Sequence, residues 1–303
     1  MKKSVFTYFR ALHHACRNWL YRFQPETISL LDFTDFCNYS QDILKYRQYA
    51  PLLVTPRGIF VRSSQGAFFW FDPRYQHGKL WGVEFGKDWE PGVIHCCAKI
   101  LNRNGGTCLD IGANVGLFSI TLARLTPEIA FHAFEPIPDN YQALTTNVQE
   151  NHLGDRIISR KMAVADQTTF IRMSSLGQLS HALFDGERVG ATVIETETTT
   201  VDGYCSQLNI QDVSLIKCDV EGFELNVLRG SKNVLMRQKP ALLIEIAPKF
   251  LERYQFSVGE VFSFLGNLGY SGRAVLDSGE LGSVNLSDDQ KILQGYNFLF
   301  QVE

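Results

Sequence analysis

Hydrophobic and polar positions follow two different patterns from about residue 90 to residue 303. Short apolar runs are typical of buried strands, and apolar residues that recur every three to four positions are typical of helices. The runs predict strands at Thr107–Ile111, 129–134, 156–164, 213–219 and Ala241–Ile246. The helical spacing predicts helices at Leu117–Leu125, 138–151, 224–238 and 258–268. This alternation predicts an α/β fold with a mostly parallel, doubly wound sheet covered on both faces.

Further apolar runs flank this region on both sides. Three short ones, at residues 52–54, Gly58–Arg62 and 67–71, are separated by turn-forming residues and predict a β-hairpin cap. Two late ones, at residues 272–276 and Tyr296–Val302, are expected to close the edge of the main sheet, the second as an antiparallel strand. We therefore expect two domains: an N-terminal helix and β-rich cap over residues 1–89, and one α/β domain over residues 90–303.

The first 23 residues carry apolar side chains at helical spacing, with basic residues around them. A basic amphipathic helix can lie on an anionic membrane surface, which would make the protein a peripheral membrane protein. It can equally dock on its own domain or on a second subunit of a homo-oligomer, and docking is the commoner arrangement in globular proteins.

Residues 173–199 interrupt the alternation of strands and helices with a segment rich in Gly, Ser, His and Thr. Long loops inside compact domains are often functional. This insertion either folds over the molecule on which the protein acts or is a plain surface excursion.

Composition narrows the classes of function. The chain of 303 residues is 45% hydrophobic, which is enough for a sizeable buried core. Its net charge of -3 argues against nucleic acid as a partner, since phosphate binding depends on clustered positive charge. No run approaches the roughly 18 apolar residues of a membrane-spanning helix, and the basic start lacks a secretory leader pattern. The seven cysteines lack the spacing of zinc sites, so we expect reduced thiols in a cytoplasmic protein.

The segment from Cys108 to Ser119 joins an apolar strand to a glycine-bearing turn and the start of a helix. Gly112 and Gly116 allow a tight bend and a close approach to a ligand, and Asn114 is predicted to cap the helix. The next apolar run ends in Glu135, 23 residues after Gly112. An acid about 20 residues after such a turn binds ribose hydroxyls, so this segment predicts a nucleotide-cofactor cradle.

Further motifs follow this turn in order. They are Phe134-Glu135-Pro136, AVAD at residues 163–166, IKCDVEGFE at residues 216–224 and LIEI at residues 243–246. Together with DIGANVG at residues 110–116, they resemble the ordered motifs of FkbM-type methyltransferases over roughly residues 85–250. The resemblance implies a Rossmann-like class I methyltransferase fold and S-adenosyl-L-methionine as cofactor. It also implies an acceptor hydroxyl on a sugar, glycan or other small metabolite.

The candidate cofactor residues lie at the carboxyl ends of the predicted strands, where open α/β sheets bind ligands. Asp110 is expected to order the turn, and Glu135 to bind the ribose. Asp166 either accepts a hydrogen bond from the adenine amine or shapes a turn. The full candidate set is Asp110, Gly112, Asn114, Gly116, Phe134, Glu135, Pro136, Ala163, Asp166 and Asp219.

Asp219 and Glu221 are the candidate bases for the acceptor hydroxyl, because burial beside other acids raises the affinity of a carboxylate for protons. Asp219 can instead hold the cofactor ammonium group or a turn amide, while Glu221 and Glu224 cap the following helix. His181, in the insertion, is a rival base, since imidazole titrates near neutrality.

Several interpretations stay open. Lys217 either points toward the site or forms a salt bridge with Glu245. Some sugar-directed methyltransferases bind Mg²⁺ through acids at the Asp219 position, but without His or Cys ligand spacing and without a further Asp or Asn pair we predict no metal. An amine is the alternative to a hydroxyl as the acceptor. The main alternative to an enzyme is a non-catalytic cofactor-binding or membrane-associated protein that retains the methyltransferase fold. An NAD-dependent oxidoreductase is disfavoured because Asn114 occupies the second glycine position of the dinucleotide fingerprint.

Overall fold

The computed structural model describes residues 51–55, 58–71, 83, 87–175, 180–183, 192–284 and 296–302. The predicted N-terminal helix lies outside these residues. The described chain forms two compact units that divide between Trp89 and Glu90, and Gln149–Asn151 belongs with the first. None of the helices that the structure describes is long and apolar enough to cross a membrane.

The first unit contains an antiparallel sheet of three strands, β1 (Leu52–Thr55), β2 (Gly58–Arg62) and β3 (Phe68–Trp70). These strands coincide with the three short apolar runs of the sequence. Phe60 and Phe69 are fully buried. The side-chain amide of Asn151 accepts a hydrogen bond from the backbone N–H of Phe68 at 2.8 Å and donates to its carbonyl at 2.6 Å. The buried aromatic rings of this sheet therefore serve packing within the unit.

The second unit alternates strands and helices as the sequence predicts. Its strands are β4 (Thr107–Ile111), β5 (Ala130–Phe134), β6 (Ile157–Arg160), β7 (Ala163–Val164), β8 (Phe170–Ser175), β9 (His181–Ala182), β10 (Thr192–Thr199), β11 (Val213–Cys218), β12 (Ala241–Ile246), β13 (Tyr270–Val275), β14 (Leu281–Gly282) and β15 (Tyr296–Val302). Its helices are α1 (Pro91–Asn104), α2 (Leu117–Leu125), α3 (Pro138–Glu150), α4 (Val201–Leu208), α5 (Glu224–Arg229), α6 (Lys232–Gln238), α7 (Pro248–Arg253) and α8 (Val258–Gly266).

The main sheet has the strand order β14-β13-β15-β12-β11-β4-β5-β6. The strands from β12 to β6 pair in parallel, and β15 is antiparallel to both of its neighbours. Every residue of β4 is buried, as expected for a parallel strand covered on both faces. The chain order reverses beside β4, which places a ligand crevice at its carboxyl end. The antiparallel strand is present as predicted, but it lies between β12 and β13 rather than at the edge.

Two predicted elements are broken in the structure. The strand predicted at residues 156–164 leaves the main sheet after Arg160, and Ala163–Val164 pairs instead with β10. The helix predicted at residues 224–238 is interrupted at Gly230, where an added Cβ would lie 2.1 Å from the Ala165 carbonyl oxygen. The glycine allows the backbone after β7 to approach the helix, so the helix is divided there into α5 and α6.

The insertion at residues 173–199 contributes to a second sheet, with the order β7-β10-β8-β9. Strands β8 and β10 pair in antiparallel register from Phe170 to Ser175. Met173 packs in a small apolar cluster with Ala163 and Ile137. The described part of the insertion is therefore largely β-ribbon, which its polar composition concealed.

Candidate cofactor and acceptor site

The turn after β4 is held by the backbone of the neighbouring strand. Gly112 has a φ of 79°, and its N–H donates to the Phe134 carbonyl at 3.0 Å. A Cβ at Gly112 would lie 1.9 Å from the carbonyl oxygen of Asp219. Only glycine fits this conformation and this close approach, so the turn and the end of β11 are in direct backbone contact.

Asn114 has a φ of 51° and takes part in the turn through its backbone rather than as a helix cap. The N-cap of α2 is Gly116, with a φ of 89° and no capping side chain. The prediction that Asn114 caps this helix is therefore wrong. The left-handed conformation at both positions carries the chain into α2 without a side-chain acceptor.

Glu135 braces the same turn from the end of β5. Its side chain is 4% exposed, and Oε2 accepts a hydrogen bond from the Asn114 N–H at 2.8 Å. Oε1 accepts from the Ile137 N–H at 2.9 Å and from the Asn140 amide at 3.4 Å. Burial raises the pKa of Glu135 to about 7, although these hydrogen bonds lower it. Each carboxylate oxygen has a further lone pair, so the group can also accept a hydrogen bond from a ribose hydroxyl.

A buried ion pair lies beneath the turn. Lys217 is 6% exposed and Asp110 is 0% exposed. The Lys217 Nζ lies 3.5 Å from Asp110 Oδ1 and donates to the Gly112 carbonyl at 2.8 Å. The other oxygen of Asp110 accepts a hydrogen bond from the Ser119 hydroxyl. Asp110 thus orders the turn from below, and Lys217 faces the site rather than lying outside it.

Asp219 lies beside Lys217 at the end of β11, with 3.2 Å between its Oδ2 and the Lys217 Nζ. Glu245 of β12 lies close to Asp219. The charge of Asp219, and then burial, raise the pKa of Glu245 well above its usual value. Glu245 therefore holds its proton more tightly than a free carboxyl group does, beside an acid that is paired with Lys217.

Glu221 adds a third carboxyl group from the loop after β11, where its φ is 56°. Burial, followed by the charges of Asp219 and Glu224, raises the pKa of Glu221 to about 8. Glu224 has a different task, because its Oε1 accepts from the Val220 N–H at 3.2 Å and the Gly222 N–H at 3.0 Å. Glu224 therefore holds the loop, and Glu221 is the carboxyl that this loop presents.

Sequence reasoning missed Glu90 and Asn297. Glu90 precedes α1 with a φ of 39°, and its Oε2 accepts from the Asn297 amide at 3.0 Å. Asn297 of β15 is in register with Glu245 of β12. Burial and then the charge of Asp219 raise the pKa of Glu90. The Glu90-Pro91 pair marks a helix start, but no sequence signal places β15 beside β12.

His181 lies in β9 and is 7% exposed, with its Nδ1 2.9 Å from the Ser174 hydroxyl. It is a buried strand residue rather than part of an exposed loop. The carbonyl of the next residue, Ala182, accepts from the Tyr254 hydroxyl at 2.8 Å. The Tyr254 ring meets Phe223 edge to face at 5.2 Å between centroids. Strand β9 is thereby connected to the loop that carries Glu221.

The other predicted cofactor residues lie in different environments. The Phe134 side chain is 2% exposed and packs edge to face on Tyr204. Ala163 is 7% exposed, Pro136 is half-buried, and Asp166 is exposed just after β7. The side chains of Phe134 and Ala163 therefore belong to the core, whereas Asp166 has a free approach from solvent.

The sheet order, the glycine turn after β4 and the acid after β5 together define a Rossmann-like class I methyltransferase fold. Residues 110–271 match the family model of the Methyltransferase FkbM domain, and the chain belongs to this family. S-adenosyl-L-methionine is accordingly the cofactor of the domain. The residues present suit it: the Gly112 turn has no room for a Cβ, and Glu135 and Asp219 supply carboxylate oxygens of the kind that ribose hydroxyls and an ammonium group need as acceptors.

Two curated methyltransferases are similar to this chain at low sequence identity. The chain is 26% identical over 158 residues to the 31-O-demethyl-FK506 methyltransferase FkbM of Streptomyces tacrolimicus, covering 42% of this chain and 60% of that protein. It is 25% identical over 164 residues to the 2-O-methyltransferase NoeI of Sinorhizobium fredii, covering 46% of this chain and 63% of that protein. The alignments thus span about 60% of the length of these curated relatives.

Among solved structures, a methyltransferase FkbM from Methylobacillus flagellatus aligns with a TM-score of 0.41 and 17% identity. The alignment covers 65% of this chain and 44% of that protein. The fold assignment therefore depends on the strand order and the family match.

Proposed function

We propose that this protein methylates a hydroxyl group of a sugar, glycan or other small metabolite, with S-adenosyl-L-methionine as the methyl donor. The observation that carries the proposal is the carboxyl group at the end of β11. Asp219 lies 3.2 Å from a buried ammonium group, its charge raises the pKa of the neighbouring Glu245, and its carbonyl oxygen is in close contact with the Gly112 turn. A proton acceptor thus stands next to the cofactor turn.

The cofactor supplies an electrophilic methyl group on a sulfonium centre. We assign to Glu135 the ribose hydroxyls and to the Gly112 turn the close backbone contact. Asp166, exposed at the far side, is assigned to the adenine amine. Asn114, Gly116 and Pro136 complete the walls of this cradle. Binding at these groups holds the donor in one orientation, which methyl transfer requires because the acceptor oxygen must attack in line.

The carboxyl groups of Asp219, Glu221 and Glu245, called the acid group below, then act on the acceptor. Asp219 or Glu221 would accept the proton of the hydroxyl as its oxygen takes the methyl group and the methyl–sulfur bond of the donor breaks, leaving S-adenosyl-L-homocysteine. A carboxyl group whose pKa is near the working pH is suited to this task, and Glu221 has a pKa of about 8. Glu245, whose pKa is raised by the charge of Asp219 and by burial, keeps its proton and can donate a hydrogen bond to a second hydroxyl of a polyol. His181 is the reserve candidate, to be tested only if both acids prove dispensable.

The printed names of the relatives support an oxygen acceptor, since one is a 31-O-demethyl-FK506 methyltransferase and the other a 2-O-methyltransferase. The acid group supports it as well. A neutral amine needs no general base to attack a methyl group, whereas a hydroxyl gains from one.

The test is mass spectrometry of a metabolite extract incubated with the protein and an isotopically labelled methyl donor. We expect a labelled O-methyl ether, absent when Asp219→Asn and Glu221→Gln are combined in a protein that still folds. Glu195→Gln, an exposed acid on β10, is the control and should transfer label as the wild type does. A labelled N-methyl product would overturn the hydroxyl assignment. Full turnover in the double variant would move the base elsewhere.

A further inference from the structure

Lys217 carries a positive charge into the space between the cofactor turn and the acid group. It follows Ile216 in the buried β11, and its neighbour across the sheet in β4 is Asp110. Its Nζ donates a hydrogen bond to the Gly112 carbonyl at 2.8 Å and forms ion pairs with Asp219 Oδ2 at 3.2 Å and Asp110 Oδ1 at 3.5 Å. One ammonium group therefore touches the turn, the acid beneath it and the acid beside it.

The two acids that pair with Lys217 differ in how far they are exposed to solvent. Asp110 is fully buried and, among the described residues, its Oδ1 accepts no hydrogen bond, so the ammonium charge at 3.5 Å is its compensation. Asp219 is different because its side chain is 29% exposed and could be solvated without Lys217. The contact with Asp219 is therefore not needed to bury the acid. The contact instead directs Oδ2 of the Asp219 carboxylate toward the ammonium group.

The charge of Lys217 acts on five acids around the site. Burial raises the pKa of Glu90, Asp110, Glu135 and Glu221, and the charge of Asp219 raises that of Glu245; in each case the charge of Lys217 opposes the rise. Burial lowers the pKa of Lys217 itself, but the charges of Asp219 and Asp110 raise it by a larger amount. The ammonium group therefore stays protonated. These charges face Lys217 from β4, β5, β12, the segment before α1 and the loop after β11.

We propose that Lys217 is a positioning residue for methyl transfer. It fixes the Asp219 carboxylate beside Glu245 and ties it through the Gly112 carbonyl to the cofactor turn, so that both halves of the site form as one unit. This inference rests on the proposed function. It goes further by making cofactor affinity and the proton-accepting group depend on the same buried cation.

The test uses S-adenosyl-L-homocysteine as the probe, with affinity measured by calorimetry from pH 6 to pH 9. Lys217→Met should weaken binding about ten- to a hundredfold, the range for a lost hydrogen bond to a charged group. Its affinity should also begin to fall at a higher pH on acidification than that of the wild type, since the acids lose their neighbouring cation. Lys217→Arg, which keeps the charge, should recover part of the affinity and the wild-type pH profile.

Lys217→Met leaves Asp110 buried without a countercharge and can fail to fold for that reason alone. The double variant Asp110→Asn/Lys217→Met removes both charges and should regain most of the thermal stability without regaining affinity or the pH profile. Lys232→Met, at an exposed lysine of α6, is the control and should match the wild type. If the folded double variant binds the probe as the wild type does, with the same pH profile, Lys217 is structural only. Failure of the wild type to bind the probe would instead overturn the proposed function, and this inference with it.

Discussion

Glu135 has two roles that a single substitution separates. Its carboxylate accepts the N–H groups of Asn114 and Ile137, and it is the assigned ribose ligand. Glu135→Ala leaves these amides without their acceptor, at a cost of about 1 to 3 kcal/mol in the free energy of unfolding. We expect the affinity for S-adenosyl-L-homocysteine to fall by a further 1.5 to 3 kcal/mol, roughly ten- to a hundredfold.

Urea unfolding and calorimetry check the two effects independently. Glu135→Gln keeps an amide oxygen as acceptor, so it should recover part of the stability but only part of the affinity. Unchanged affinity in the folded Glu135→Ala protein would show that the carboxylate serves the turn alone.

Glu224 makes stability depend on pH. Burial raises its pKa to about 7 from 4.5. The folded protein therefore holds a proton that the unfolded chain releases between about pH 4.5 and 7, so the free energy of unfolding falls as pH rises through that range. The loss at high pH is on the order of 3 kcal/mol from this group.

The comparison is between the wild type and Glu224→Gln, which keeps an oxygen to accept from Val220 and Gly222. In urea unfolding at pH 5 and pH 8, the variant should gain on the wild type as pH rises. Parallel pH curves for the two proteins would mean that Glu224 is not the group that titrates.

The turn between β4 and α2 is tested by comparing two glycines that both have a positive φ. Gly112 has a φ of 79° and Gly105 a φ of 67°. An added Cβ at Gly112 would lie 1.9 Å from the Asp219 carbonyl oxygen, whereas at Gly105 it would meet nothing within 4 Å. Either Gly→Ala change costs about 1 to 3 kcal/mol, because a residue with a Cβ is strained at a positive φ.

Gly112→Ala must in addition push β4 and β11 apart. We expect it to lose cofactor binding, while Gly105→Ala loses only stability, as measured by calorimetry and thermal unfolding. Equal effects of the two changes would show that the backbone contact with Asp219 has no part in the site.

The sequence allows some of these elements to be predicted and hides others, for physical reasons. β4 and its glycine turn were predictable because a parallel strand is apolar throughout and the turn needs residues with positive φ. The break at Gly230 was not, since its cause is the distant Ala165 backbone. The cap predicted at Asn114 failed because the left-handed turn uses its backbone instead of its side chain.

Across the whole chain, some residues of the candidate site could be predicted from the sequence and others could not. Gly112, Glu135 and Asp219 follow strands, and the rule that parallel strands gather their carboxyl ends brings them together without any knowledge of distances. Lys217 was ambiguous because the sequence does not say which buried acid lies opposite it. Glu90 and Asn297 could not be found, because they meet only when β15 enters the sheet beside β12.

The contact between Asn297 and Glu90 adds two polar residues to the site from outside residues 110–271, the segment that matches the family model. Asn297 donates to Glu90 at 3.0 Å and lies in register with Glu245. Burial and then the charge of Asp219 raise the pKa of Glu90, so this contact belongs with the acids of β11 and β12. We therefore expect Asn297→Ala to lower turnover of the acceptor found by isotope labelling, with S-adenosyl-L-homocysteine affinity unchanged within about twofold, a difference below 0.5 kcal/mol. Gln301→Ala, at an exposed position of the same strand, should leave both quantities as in the wild type. If Asn297→Ala instead weakened cofactor binding and left turnover at saturating cofactor intact, Glu90 and Asn297 would belong to the cofactor half of the site, and the acceptor would have to bind on the side of Glu221.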